Sequence, residues 1–175
     1  GLPEDGPHQP VGLHVIDGVA RAGLAALVVL VLDQLTKVWV VAALSDGPFP
    51  IIDGFLRFAL TRNPGASFSL FTDAGQAIGV IALGVIVFVF VLVDRVHHPL
   101  DVVGLGLIMG GAAGNVADRI FRGDGVLDGA VVDFIDFDFF PSFNVADSAI
   151  NVGVGLLLLG TFLSHRRHDD DRDTA

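Results

Sequence analysis

AGQAIGVIALGVIVFVFVLV, residues 74–93, carries no charge and, as a helix, is long enough to cross the apolar core of a bilayer. Working outward, three more runs meet or approach the same length: Ala20–Leu44, Leu100–Phe121 and Ser148–Leu163. The last is short unless it begins near Val145. Hydrophobic residues make up 52% of the chain and mean hydropathy is +0.68, values foreign to an ordinary soluble domain. These features predict an all-α membrane protein with four transmembrane helices. It is read as a single domain over 1–175, with polar tails at 1–18 and 165–175.

Charge and composition exclude several function classes. The formal net charge is −10, and Glu4 is the only glutamate among the acidic residues. No basic stripe exists, so nucleic acid is not an expected partner. With no cysteine, thiol nucleophiles and cysteine metal sites are ruled out. No metal or other cofactor is expected. Gly1–Pro10 have neither a basic start nor an early apolar run, so no cleavable signal peptide is expected in them. Four spans put both termini on one side. That side carries Arg21, Arg95, Arg166, Arg167 and Arg172, against Arg57, Arg62 and Arg122 opposite, which favours cytoplasmic termini.

The loops on the far side hold the unusual residues. Between the first two spans, Asp53-Gly54 divides two aromatic-rich apolar runs, Phe49–Ile52 and Phe55–Leu60, a hairpin signal because the turn needs positive φ. A small β-cradle at the membrane surface is expected there, on the extracytoplasmic face. Between the third and fourth spans, residues 122–144 mix Asp with Phe and suit a short interfacial element, either strand or helix, ended by Pro141. All six histidines lie in the tails or the inner loop, so a His-based triad or metal site on the far face is disfavoured.

What remains on that face is Asp, Asn, Lys and Arg. Asp33 and Lys37 are spaced i,i+4 and share a helix face, either as a buried ion pair or with Lys37 near the chemistry. Gly110-Gly111-Ala112-Ala113-Gly114 permits close helix packing. Asn115, Asp118 and Arg119 follow it, and Asp118 is expected to pair with Arg119 or Arg62. Asn63 and Gly65 open a turn before the second span. Asn144-x-x-Asp147 reads either as a capping box or as part of a site, and the two roles can coexist. Asp133, between Val132 and Phe134, is harder to place in solvent. Two carboxylates losing hydration at a membrane boundary can share a proton, one acting as base and the other as acid, which is aspartic-peptidase chemistry.

Five segments, in order, resemble the lipoprotein signal peptidase family, signal peptidase II. They are Asp33-Gln34-Leu35-Thr36-Lys37, Asn63-Pro64-Gly65-Ala66-Ser67-Phe68-Ser69, Gly114-Asn115-Val116-Ala117-Asp118-Arg119, Val132-Asp133-Phe134 and Phe143-Asn144-Val145-Ala146-Asp147. The resemblance implies a bacterial inner-membrane aspartic endopeptidase that removes signal peptides from diacylglyceryl-modified prolipoproteins, cutting before the lipidated cysteine. It implies Asp133 and Asp147 as the catalytic pair, near the extracytoplasmic face. Asp33, Lys37, Arg62, Asn63, Gly65, Asn115, Asp118, Arg119 and Asn144 are then supporting or substrate-binding residues. Membrane lipids and globomycin-type inhibitors are further implied partners. Two rival readings are a Ser–Lys peptidase using Lys37 with Ser67 or Ser69, and a small ion-coupled transporter using Asp33, Lys37 and Asp118. The inner halves of the third and fourth spans are nearly bare of polar residues, which counts against transport.

Overall fold

A computed structural model describes residues 11–65, 74–96 and 98–173. Ser67 and Ser69, the serines of the Ser–Lys reading, lie outside the described residues. Among the described residues four α-helices form: α1 (Val11–Ala43), α2 (Ala74–Leu92), α3 (Pro99–Phe121) and α4 (Val145–Asp173). All four are long and apolar enough to cross a membrane. The helices α1 and α4 continue into the stretches expected as polar tails, α1 from Val11 and α4 through Asp173. A 3₁₀ turn, Val93–Arg95, ends the second span.

The helix α3 is the axis of the bundle and packs against the other three. Small residues make this possible, since lipid supplies little drive for helices to associate and close backbone approach must supply it. A Cβ on Gly110 would come within 2.5 Å of the Ala26 carbonyl oxygen, and one on Gly106 within 2.6 Å of that of Ala22. Gly104 and Gly153 face each other in the same way between α3 and α4. The large apolar side chains of α1, α2 and α4, such as Leu24, Leu35, Val87, Phe88 and Leu158, point outward, where lipid would cover them.

The two far-side loops fold together. Strands β1 (Phe49–Ile52), β2 (Leu56–Asn63), β3 (Val131–Phe137) and β4 (Phe140–Phe143) form one antiparallel sheet in the order β1-β2-β3-β4. The β1–β2 hairpin turns at Asp53-Gly54 as expected, with Gly54 at φ 67°. The element between the third and fourth spans is therefore not a separate piece: it is a second hairpin that completes the same sheet. Pro141 does not end it but sits inside β4, an edge strand, where a missing N–H breaks no ladder bond. Val132 and Phe134 pack with Val40 and Leu44 and seat the sheet on the end of α1. Residues 131–134 are all buried, so β3 is covered on both faces here, and Asp133 is drawn inside with its neighbours.

Candidate active site

Asp133 reaches the site from β3, placed by antiparallel pairing with β2 that sets Thr61 opposite Asp133 and Asn63 opposite Val131. It is 2% exposed. Its Oδ2 accepts from Asn63 Nδ2 at 3.1 Å and its Oδ1 from Asn144 Nδ2 at 2.7 Å. Burial pushes the Asp133 carboxyl up to about 6, against the pull of the Asn63 amide, and the nearby Asp147 charge adds to the rise.

Asp147 arrives on the first turn of α4. Asn144 is the N-cap: its Oδ1 accepts the Asp147 backbone N–H at 3.0 Å, while Asp147 Oδ2 accepts the Asn144 backbone N–H at 3.2 Å. That is a reciprocal capping box with Asp in the third helical position. The other oxygen, Oδ1, accepts from Asn115 Nδ2 at 2.8 Å. The capping and site readings of Asn144 and Asp147 thus hold together in one geometry, since Asn144 caps with its oxygen and reaches Asp133 with its nitrogen.

Asp133 and Asp147 line one cavity of about 370 Å³. Asn63, Gly65, Asn115 and Arg119 share its polar end, and Ile78, Ile81, Val85, Ile108 and Ile150 line an apolar remainder between α2, α3 and α4. Gly65 has φ 103°, which a side chain rarely tolerates, and its N–H donates to Asn63 Oδ1 at 2.9 Å. Arg119 is 4% exposed, and among the described residues its Nη1 has no hydrogen-bond partner. A smaller cavity of about 180 Å³ adjoins Asp133, lined by Thr61, Arg62, Asn63, Pro64, Pro141 and Ser142.

Behind the pair lies a buried charge cluster. Lys37 Nζ meets Asp33 Oδ2 at 2.8 Å, Asp118 Oδ2 at 2.9 Å and Asn115 Oδ1 at 3.1 Å, and none of the three charged side chains is exposed. An ammonium has three hydrogens and all are used, so Lys37 is occupied as a donor and offers nothing as a base. Asp33 Oδ1 accepts the Ala146 N–H at 3.0 Å, and Asp118 Oδ2 accepts the Val132 N–H at 3.0 Å. Each buried carboxylate therefore holds the backbone of the residue just before Asp147 or Asp133.

The expected partners of Asp118 need correcting. It pairs with Lys37 and, at 2.7 Å, with Arg122, rather than with Arg119 or Arg62. One helical turn separates Asp118 from Arg122, whereas Arg119 points into the cavity and Arg62 is exposed on β2. Arg122 was legible from the same i,i+4 spacing that marks Asp33 and Lys37. Gln34 was also missed. Its Nε2 lies 3.0 Å from the Gly114 carbonyl and within 3.3 Å of Asp33 and Asp118 oxygens. On the sheet, Asp136 and Asp138 form surface pairs with Arg57.

Residues 25–163 match the family model described as Signal peptidase (SPase) II. The lipoprotein signal peptidase of Rhodococcus jostii (strain RHA1) is 42% identical over 164 residues, covering 90% of this chain and 78% of that protein. That of Mycobacterium avium (strain 104) is 46% identical over 158 residues, covering 90% and 82%. A solved structure described as a bacterial membrane enzyme is 28% identical, with a TM-score of 0.69 over 80% of this chain and 91% of its own. With four spans and a match through all of them, this is a multi-pass bacterial membrane protein, and it belongs to the signal peptidase II family.

Proposed function

We propose that this protein is an aspartic endopeptidase that removes the signal peptide from diacylglyceryl-modified prolipoproteins, cutting before the lipidated cysteine, with Asp133 and Asp147 as its catalytic pair. The observation that carries the reading is the meeting of two carboxylates, from a strand and from a helix, at the polar end of one largely apolar cavity. A peptide bond next to a lipid-bearing residue has the same polarity: a polar reacting centre with apolar chains beside it. The relatives named lipoprotein signal peptidase support the substrate class.

The chemistry follows from a pair sharing one proton. The ionised carboxylate takes a proton from a water as the water oxygen bonds to the scissile carbonyl carbon. The carbonyl π electrons move onto its oxygen, which is met by the proton of the other carboxyl. Collapse re-forms the C=O bond and breaks C–N, and the amine leaves with a proton from the pair. The base and acid roles belong to the pair, not to either residue by itself. Arg119, Asn63 and Asn115 line the same cavity and are supporting groups in this reading, with Arg62 at the neighbouring opening. Five arginines lie toward the end opposite the sheet and four, Arg57, Arg62, Arg119 and Arg122, toward the sheet end, a small excess that favours cytoplasmic termini and an extracytoplasmic site in the inner membrane.

The test is cleavage of a lipidated precursor peptide by purified enzyme in lipid, with and without globomycin. Asp133→Asn and Asp147→Asn are each expected to lose about a thousandfold in rate while remaining folded, and globomycin to block the wild type. Wild-type cleavage by either variant would overturn the pair.

A further inference from the structure

We propose that Lys37 is a positioning residue for the peptidase reaction: by occupying Oδ1 of Asn115 it aims the Asn115 amide N–H at Asp147. The inference rests on the catalytic pair proposed above. Its ground is a pattern common to three asparagines. Asn63, Asn115 and Asn144 each turn Nδ2 toward one of the two aspartates, at 3.1, 2.8 and 2.7 Å. An asparagine amide is nearly symmetric in shape, so what decides which end faces the carboxylate is what its oxygen finds at the other end. Asn63 Oδ1 is taken by the backbone N–H of Gly65 and Asn144 Oδ1 by the backbone N–H of Asp147. Those donors are fixed by the local chain.

Among the described residues Asn115 has no such backbone donor on its oxygen. Its Oδ1 accepts from two side chains, Lys37 Nζ at 3.1 Å and Asn144 Nδ2 at 3.2 Å, and only the first brings a full charge. A flipped Asn115 would set its NH₂ against the ammonium and its oxygen against the Asp147 carboxylate, repulsive at both ends. Lys37 is itself immobile, because its remaining hydrogens are held by Asp33 and Asp118. Those carboxylates grip the N–H groups of Ala146 and Val132, so Lys37 ties the orienting amide to the backbone before each aspartate.

A purely structural role is the alternative, in which Lys37 only neutralises two buried carboxylates. The double variant D33N/K37M separates the two. It removes one negative and one positive charge together, leaves Asp118 its pairing with Arg122, and keeps an amide oxygen at position 33 for the Ala146 N–H. If Lys37 orients Asn115, D33N/K37M keeps its melting temperature and its KM for the lipidated precursor, yet kcat falls about a hundredfold. D33N/K37Q, which returns a neutral donor one bond short of the lysine nitrogen and on the same side of Asn115, recovers at least tenfold of that loss. Asn115→Ala alone shows a comparable fall, and combining it with D33N/K37M adds no more than about threefold, because both remove the same interaction. Wild-type kcat in D33N/K37M, no rescue by K37Q, or losses that multiply in the combination would each overturn the assignment.

If D33N/K37M does not accumulate as folded protein, the wild type carries the test. The Asn115 side-chain amide protons, identified by their disappearance in Asn115→Ala, should exchange with deuterium far more slowly than those of a surface asparagine; equal exchange overturns the proposal. Asp147→Asn is run beside these variants. Its inactivity with full activity in D33N/K37M removes only the role of Lys37, whereas its full activity removes the catalytic pair.

Discussion

The stretch of β3 around Asp133 and the first turn of α4 around Asp147 are two walls of one cavity, held by opposite means. Asp147 is fixed locally. Its own N–H and one of its oxygens close a capping box with Asn144, three residues away. Asp133 has no local support of that kind. Both its oxygens are held by side chains from elsewhere, one of them Asn63, 70 positions distant on β2. A helix terminus has unsatisfied N–H groups to offer a carboxylate, while a central strand has already spent its backbone on the ladder. The strand aspartate must therefore borrow amides, and the fold brings asparagines to it.

Among the described residues Asn144 is the one bonded to both aspartates, so of the groups that support the pair it should show the largest effect when changed. Asn144→Ala is expected to cost about 1–2 kcal/mol of stability through the lost cap and to slow cleavage about a hundredfold through lost alignment. Asn144→Ser sharpens the comparison: serine caps well but cannot reach Asp133, so melting temperature should be retained while cleavage still falls. Equal cleavage by Asn144→Ser and wild type would mean that the bond to Asp133 is idle.

The second test uses the buried charge on the strand wall. The folded-state value of Asp133 is about 6 against 3.8 for a free carboxyl, so the folded protein binds this proton more tightly than the unfolded chain does. The stabilising contribution is fully present below about pH 3.8 and is lost as pH rises through about 6, a swing of about 3 kcal/mol. Wild-type melting temperature should then fall between pH 4 and 7 more steeply than that of Asp133→Asn, whose side chain does not titrate. Parallel slopes would show that Asp133 titrates as a free carboxyl.

Gly65→Ala should touch the strand wall alone. At φ 103° a Cβ is strained by about 1–2 kcal/mol, and relaxing that strain moves the N–H that orients Asn63. A drop of about tenfold in kcat, with the α4 cap intact, is expected; a loss of substrate affinity alone would instead place Gly65 in substrate contact. The smallest effect belongs to Arg57→Ala. It breaks pairs with Asp136 and Asp138 on the half-exposed outer sheet, worth less than about 1 kcal/mol and screened by salt. No change in cleavage is expected.

Much of this site was legible in advance because its signals are short. The i,i+4 pair Asp33 and Lys37, the Asn144-x-x-Asp147 cap and the small-residue run before Asn115 each stand within one or two helical turns. The Asp53-Gly54 turn was equally local. The errors share the opposite property. Pro141 was read as an end because nothing in residues 122–144 reveals that their strand would occupy a sheet edge. Lys37 was missed as a partner of Asp118 because that contact depends on how α1 and α3 are rotated against each other, whereas the local i,i+4 partner Arg122 was there to be read.

By itself, then, the sequence determined the four spans, the first hairpin and the cap of α4, since hydropathy, turn chemistry and helix capping act over a few neighbouring residues. Only the tertiary structure decided that two distant loops share one sheet and that Asp33 would meet the Ala146 N–H 113 positions away. It alone also set which end of Asn115 faces a carboxylate. Such contacts depend on the register of paired strands and the rotation of packed helices, and no local pattern along the chain specifies either.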